Sequence, residues 1–165
     1  RITPIYEGTN GIQALDLVRR KLGHDQGLSM NVLLEEILLF DGTLSISDDG
    51  TIMAIRDRLA KARTALAQTT HKLLSDLKNN PNRAEAAATP YLELAGTVLG
   101  GYYMARAALI AEEKISKKIG NISFYKTKLA TALFYTENIL PKSAALAHAS
   151  TYGSDSVLSI APEAF

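Results

Sequence analysis

The chain has 165 residues, 47% of them hydrophobic, and a formal net charge of +1. This length suits one domain, or one domain with part of another, and the apolar content is sufficient for a core. The small net charge excludes a global field that would attract nucleic acid or anionic lipid. The absence of cysteine excludes disulfides, thiolate metal sites and a cysteine nucleophile, and it fits a reducing compartment. We see neither an apolar run of the roughly 20 residues that span a bilayer nor a secretory signal.

Residues 1–22 combine a loop that contains a carboxylate with an amphipathic helix. Thr9 or Asn10 can cap this helix, because a short side-chain oxygen accepts from an N–H group of the first turn. Glu7 therefore stands on irregular backbone just before a helix N-terminus. Gly8 lets that backbone approach a ligand closely, since no side chain intervenes. The apolar positions at helical spacing predict one buried stripe, formed by Ile12, Leu15, Val18 and Leu22.

This stretch resembles the catalytic-glutamate segment of the flavin-dependent acyl-CoA dehydrogenases over the run Ile5-Tyr6-Glu7-Gly8-Thr9-Asn10-Gly11-Ile12-Gln13-Ala14-Leu15-Asp16-Leu17. The resemblance is dense over roughly the first twenty residues, and it implies that residues 1–25 end the catalytic domain of such an enzyme. Residues 26–165 are then expected to be the extra C-terminal helical domain of the bacterial branch. Because Arg1 lies within the motif, we expect a fragment of a longer, cytoplasmic bacterial protein.

The resemblance also implies a mechanism, in which an acyl-CoA is oxidised to trans-2-enoyl-CoA in fatty-acid β-oxidation. Glu7 is expected to remove the α-proton of the thioester, and FAD to accept the β-hydrogen as hydride. Tyr6 matches a residue that lines the acyl pocket, and Gly8 leaves room for the thioester. Thr9 matches a cofactor contact, whereas Gly11 replaces a longer polar side chain of many relatives, so that flavin contact is not expected here. Electrons would pass to an electron-transfer flavoprotein, and the fragment alone should be inactive.

The remaining chain predicts helices separated by short breaks. Gly23 is a candidate C-cap, Ser29 can cap a largely buried helix over residues 30–39, and turn signals follow at Asp41-Gly42 and at residues 47–50. A long helix then has a seam of period near 3.5, formed by Ile52, Ile55, Leu59, Ala62, Leu66, Thr69, Leu73 and Leu77. The run Asn79-Asn80-Pro81-Asn82 ends it.

A second long helix is expected to run to Lys118 from about Arg83 or Tyr91, with Pro90 at its start or at a kink. Its seam comprises Ala95, Val98, Tyr102, Ala105 and Leu109. Three glycines within it, Gly96, Gly100 and Gly101, indicate a close crossing with a neighbouring backbone, because each costs about 1 kcal/mol relative to alanine. The last long helix starts near Ser123 and ends at Pro141, and an alanine-rich helix and a final turn follow.

We therefore predict an all-α, antiparallel up-and-down bundle, with the first helix as an appendage from a neighbouring domain. No metal site is expected: the three histidines are scattered, and Glu35 and Glu36 lack the Glu-x-x-His partners of a di-metal bundle. The basic residues between Arg56 and Arg63 are interpreted as a solvated face. Tyr102 and Tyr103 are interpreted as core or interface residues.

Two hypotheses remain at this stage. A flavoenzyme domain predicts that residues 1–22 are poorly anchored and that an apolar patch marks where the bundle meets the catalytic body. A stand-alone helical interaction module, with a fortuitous Tyr-Glu-Gly-Thr match, predicts a well-packed N-terminus and a self-contained surface. For the flavoenzyme we expect a homo-oligomer in which the bundle serves packing and assembly.

Overall fold

The computed structural model describes residues 9–164 and contains only helices within that range. The predicted all-α bundle is confirmed. Helix α1 (Asn10–Leu15) continues directly into a π-helical segment (Asp16–Leu22). The remaining elements are α2 (Leu28–Leu44), α3 (Gly50–Asn79), α4 (Pro81–Ala86), α5 (Ala88–Ser116), α6 (Ile122–Asn138), α7 (Lys142–Tyr152), α8 (Ser154–Leu158) and a final 3-10 turn (Pro162–Ala164).

Helix α3 follows its predicted seam closely. The Asp49 carboxylate caps it by accepting from the backbone N–H groups of Thr51 and Ile52 at 2.8 and 3.1 Å. The helix ends at Asn79, because Pro81 cannot continue the hydrogen-bond ladder and starts α4 instead. Its core-facing positions are the predicted ones with Thr70 added and Leu77 only half-buried: Ile52, Ile55, Leu59, Ala62, Leu66, Thr69, Thr70 and Leu73.

Helix α5 lies at the centre of the bundle and contacts α3, α6 and α7. Two of its glycines allow close crossings: a Cβ on Gly100 would lie 2.1 Å from the Tyr135 hydroxyl oxygen, and one on Gly101 would lie 2.8 Å from Leu140. A close approach is therefore found at these two positions, but it is made by side chains of neighbouring segments and not by the predicted backbone. The prediction is wrong for Gly96, which is exposed and has no neighbouring element within 4 Å of a Cβ.

Among the described helices, only α5 is long and apolar enough to cross a membrane, with a mean hydropathy of 1.2 over its most apolar window. The core helix of a bundle has the same properties, because it must be apolar on most of its circumference. The apolar residues of α5 pack into the bundle. Those that are buried include Tyr91, Leu94, Ala95, Val98, Tyr102, Ala105, Ala108 and Ala111.

Three predictions about the first third of the chain are wrong. Ile12 is 66% exposed, since it lies about 200° around the helix from the buried Ala14. Residue Gly23 has right-handed backbone, and the left-handed positions that end the segment are Gln26 and Gly27, where the Gly27 N–H donates to the Leu22 carbonyl at 2.9 Å. The Asp41-Gly42 pair does not form a turn but lies within α2.

Candidate functional site

The segment that carries the mechanistic prediction lies at the edge of the described range. Tyr6, Glu7 and Gly8 lie outside the described residues, so their predicted roles stay predictions. Thr9 is described: it is exposed and occupies the position before the first residue of α1. Its backbone is helical, with φ −92° and ψ −15°, and its side chain is not the predicted helix cap.

The helix that follows this segment is built into the bundle. Ala14, Val18 and Leu22 are buried, and α1 packs against α5. The π-helical hydrogen bonding after Leu15 keeps these positions, four residues apart, on one face. The expectation that residues 1–22 are poorly anchored is therefore wrong for residues 10–22. This part of the chain is not a loose appendage.

Charged contacts hold the outer side of the same helix. The Arg20 guanidinium donates to the Asp16 carboxylate, with 2.9 Å between Nη2 and Oδ2, and this hydrogen bond lowers the pKa of Asp16. The Arg19 Nε atom lies 3.0 Å from the Glu85 carboxylate on α4. Because these pairs are exposed, each contributes little to stability and chiefly orients the helix surface.

A cleft separates the π-helical segment from the start of α2. It has a volume of about 540 Å³, with an apolar floor that includes Leu17, Met30 and Leu33 and a basic rim that includes Arg20 and Lys21. A cleft of this kind can take an apolar side chain or chain segment. The cleft is also lined by Asp25, whose carboxylate has a structural role.

Asp25, rather than the predicted Ser29, caps the start of α2. Its carboxylate accepts from the Gly27 N–H at 3.0 Å, from the Ser29 N–H at 2.9 Å and from the Ser29 hydroxyl. These hydrogen bonds favour the charged form and lower the pKa of Asp25, with the Ser29 hydroxyl as the main cause. A carboxyl group held ionised in this way is a poor proton donor at neutral pH, which argues against an acid–base role.

A cluster around Tyr102 joins α5 to α2. The Tyr102 hydroxyl donates to the Glu36 carboxylate at 2.7 Å, and the Tyr102 ring meets Phe40 edge-on with 5.5 Å between centroids. Burial of the ring, together with the hydrogen bond to Glu36, raises the pKa of Tyr102. The Arg106 guanidinium stacks over Tyr102 and over the exposed Tyr103 at 5.5 and 5.9 Å. Tyr102 is thus the predicted core residue, whereas Tyr103 lies on the surface.

Other candidate groups do not converge. His24, His71 and His148 belong to the first loop, to α3 and to α7, and no three metal-ligating side chains gather within residues 9–164. Glu36 is engaged by Tyr102, while Glu35 is exposed. Arg56, in the basic part of α3, donates to the Asp41 carboxylate through two nitrogens at 2.9 and 2.8 Å.

Helix α2 carries a second apolar face that points away from the core. Leu28, Val32 and Leu39 are 65%, 57% and 77% exposed, and at 100° per residue they fall within about 40° of one another around the helix. The opposite face contributes Leu34, Ile37 and Leu44 to the core. The prediction of a largely buried helix is therefore wrong for one face, and this exposed stripe, here called the α2 stripe, is the apolar patch that the flavoenzyme hypothesis requires.

The described residues thus define an all-α bundle with an unpartnered apolar stripe on α2. The family described as "Acetyl-CoA dehydrogenase C-terminal like" matches residues 35–161. The chain belongs to this family, the C-terminal domain of acyl-CoA dehydrogenases.

Curated relatives give the same result over most of the chain. A 3-methylmercaptopropionyl-CoA dehydrogenase of Ruegeria pomeroyi is 37% identical over 158 residues, which cover 96% of this chain and 26% of the relative. A butyryl-CoA dehydrogenase of Syntrophomonas wolfei is 30% identical over 86% of this chain and 23% of the relative. A broad-specificity linear acyl-CoA dehydrogenase of Mycobacterium tuberculosis is 28% identical over 86% and 24%. The chain therefore spans about a quarter of the length of these relatives.

Proposed function

We propose that the chain is the C-terminal part of a cytoplasmic, FAD-dependent acyl-CoA dehydrogenase, which oxidises an acyl-CoA thioester to the trans-2-enoyl-CoA. The observation that carries this proposal is the 37% identity to a relative named as an acyl-CoA dehydrogenase over 96% of the chain. The family model and this relative both match the bundle itself, so the competing hypothesis of a fortuitous motif on a stand-alone module loses its support.

In this proposal the Glu7 carboxylate accepts the α-proton of the substrate. A neighbouring apolar environment raises the pKa of a carboxyl group and brings it closer to the working pH, which favours a general base. The backbone N–H of Glu7 donates to the thioester carbonyl oxygen and stabilises the negative charge that develops there. The Tyr6 side chain lines the acyl pocket, and Gly8 leaves space for the thioester.

FAD supplies the hydride acceptor when it is bound. Among the described residues only Thr9 is assigned to it, and an exposed hydroxyl at the start of a helix suits a peripheral hydrogen bond to a polar cofactor atom. Residues 9–164 supply no other predicted flavin contact, so the rest of the cofactor site belongs to the additional length that the relatives have. Electron transfer to an electron-transfer flavoprotein and a homo-oligomeric assembly complete the proposal.

The proposed base is tested by the Glu7→Gln variant of the whole protein, which keeps the shape of the side chain and removes its basicity. Loss of a general base lowers turnover by roughly 10²–10⁴-fold, so kcat should fall by at least a hundredfold while acyl-CoA still binds. Glu93→Gln is the matched control, because it changes the same residue type at an exposed site on α5, away from the Glu7 segment in sequence. Turnover of Glu7→Gln within a fewfold of wild type would remove the assignment.

The α2 stripe gives the bundle a role in this proposal: it docks the catalytic body of the same protein. Three aligned aliphatic side chains facing solvent cost free energy unless another surface covers them, at roughly 25 cal/mol per Å² of apolar area. The relatives are about four times as long as this chain, so such a surface is present in a protein of their length. The cleft beside the start of α2 extends the apolar surface toward the helix that follows Glu7.

The docking role is tested by replacing Leu28, Val32 and Leu39 together with glutamine in the whole protein. These side chains are exposed, so the bundle should keep its helicity. The bundle and the catalytic body should separate, and limited proteolysis and amide hydrogen exchange of α2 would detect that separation. Ile110→Gln, at an exposed apolar position on α5, serves as the control. Unchanged protection of α2 would refute docking of the body. If the variant instead changes from an oligomer to a single protomer, and α2 loses its protection only on that dissociation, the stripe contacts a second copy of the protein.

A further inference from the structure

The turn between α5 and α6 concentrates positive charge. Residues 114–136 contain five lysines and no acidic residue, arginine or histidine, in a chain whose net charge is +1, so the rest of the chain carries −4. Glu112 and Glu113 immediately precede this segment, and Lys117 donates to the Glu113 carboxylate at 2.8 Å. Within residues 9–164, Lys118, Lys126 and Lys128 form no ion pair with a carboxylate, although nine ion pairs occur elsewhere or at the border of the segment.

The same turn exposes apolar side chains between these lysines. Ile119 and Phe124 are 46% and 51% exposed, and the Lys128 ammonium lies 5.4 Å from the centroid of the Phe124 ring. We call residues 117–128 the α5–α6 tip. Exposed aromatic and aliphatic groups where two helices meet, flanked by ammonium groups on long side chains, can enter an interface shallowly while the charges stay in water.

The backbone of the tip is fixed by internal contacts. Lys118 and Gly120 adopt positive φ values of 55° and 74°, and a Cβ on Gly120 would lie 3.3 Å from the Tyr125 ring. The Asn121 carboxamide oxygen caps α6 by accepting from the Phe124 N–H at 3.1 Å. The tip therefore presents Phe124 and the lysines from a set geometry and is not a loose basic tail.

The local structure provides no reason for the positions of two of these lysines. Lys126 and Lys128 lie in the second turn of α6, and neither forms an ion pair with a carboxylate of the described residues. Both side chains are exposed, and Lys128 contacts the Phe124 ring but no carboxylate. An external anionic surface would give these charges a partner.

The chemistry of the tip distinguishes among anionic partners. Protein interfaces are depleted in lysine and enriched in arginine, and base recognition in nucleic acids also favours the arginine fork. Diffuse lysine charge beside phenylalanine and isoleucine instead suits an anionic lipid headgroup layer. We propose that the α5–α6 tip binds an anionic phospholipid membrane surface peripherally, with Phe124 entering the headgroup region.

Vesicle co-sedimentation of the purified protein tests this proposal. The protein should sediment with vesicles that contain one-third phosphatidylglycerol and not with pure phosphatidylcholine vesicles. Raising the salt from about 0.1 M to about 1 M, which shortens the Debye length from about 10 to about 3 Å, should release it. Lys126→Gln combined with Lys128→Gln should weaken the partition coefficient at least tenfold. Lys61→Gln combined with Lys78→Gln on α3 makes the same charge change at exposed lysines outside the tip and should alter it less than twofold.

A fluorescent reporter examines the insertion itself. The chain has no tryptophan, so Phe124→Trp introduces a single one. Its emission should shift to the blue with anionic vesicles and stay unchanged with neutral ones, and circular dichroism should confirm that the helices are retained. Equal binding to both kinds of vesicle, no binding to anionic vesicles at low salt, an equal loss in the α3 control, or tighter binding to single-stranded DNA than to vesicles would each overturn the proposal.

Discussion

Two glycines on one turn of α5 should respond to alanine in opposite directions. At Gly96, alanine enters open space in an exposed helix position, so it should raise the free energy of unfolding by about 1 kcal/mol through helix propensity. At Gly100, the new methyl group would lie 2.1 Å from the Tyr135 hydroxyl oxygen and 2.8 Å from Cζ, and the ring must move. That movement breaks the hydrogen bond from the Tyr135 hydroxyl to the Thr97 carbonyl, which is 3.0 Å long.

The magnitudes decide the sign at Gly100. Overpacking costs about 1–3 kcal/mol and the lost hydrogen bond about 1 kcal/mol, against a propensity gain of about 1 kcal/mol. We therefore expect Gly100→Ala to lower the free energy of unfolding by about 1–3 kcal/mol. Urea unfolding followed by circular dichroism measures both variants under the same conditions.

The Tyr135→Phe background provides the internal check on this reasoning. It removes the oxygen that the new methyl group would meet at 2.1 Å, so Gly100→Ala should cost less there than in the wild type. If Gly100→Ala stabilises the protein as much as Gly96→Ala does, the close crossing of α5 by Tyr135 is refuted.

Further predictions concern the cap of α3 and the buried hydroxyl pair. Asp49→Ala should lower the free energy of unfolding by about 1 kcal/mol, because two N–H groups lose their acceptor, whereas the exposed Asp48→Ala should not. Thr70→Val should cost about 1–3 kcal/mol, since it removes the 2.8 Å partner of the buried Tyr91 hydroxyl; Thr64→Val, at an exposed site, should cost less. Burial raises the pKa of Tyr91 to about 12, against about 10 in the unfolded chain, so stability should fall as the pH rises from 10 to 12. Tyr91→Phe should lessen that fall, and an unchanged pH profile would contradict the assignment.

Helix periodicity made those parts of the fold predictable in which core residues recur at regular spacing. The seam of α3 was predictable because Ile52 through Leu73 alternate steps of three and four, and Pro81 marks its end by covalent geometry. The resemblance of the Glu7 segment, which depends on consecutive residues, also led to the family that the comparisons show.

The behaviour of α2 depended on contacts that periodicity does not contain. Gly42 disfavours a helix by about 1 kcal/mol, but the helix continues past it because Leu44 is fully buried and Asp41 pairs with Arg56. The α2 stripe was hidden because Leu28, Val32 and Leu39 are interleaved with core residues. A helix with two apolar faces is predicted to be buried all round unless its apolar residues are grouped by their angle around the helix axis.

The register of the first helix was also set by non-local packing. The first helix widens into a π-turn, and Ala14 rather than Ile12 faces α5. No residue type in the stretch predicts that change. The Asp25 cap was missed for a related reason: Ser29 has the expected residue type for a cap, but its hydroxyl donates to a carboxylate four residues earlier. The domain boundary after residue 25 stays a prediction.

The central claim is that the Glu7 carboxylate removes the α-proton of an acyl-CoA, and isotope exchange measures this step apart from oxidation. The whole protein should be incubated with acyl-CoA in deuterated water, without an electron acceptor, and the α-carbon of the thioester monitored by NMR. We predict deuterium incorporation with the wild type and with the Glu93→Gln control, and a rate at least a hundredfold lower with Glu7→Gln. Incorporation by Glu7→Gln at the wild-type rate would contradict the account.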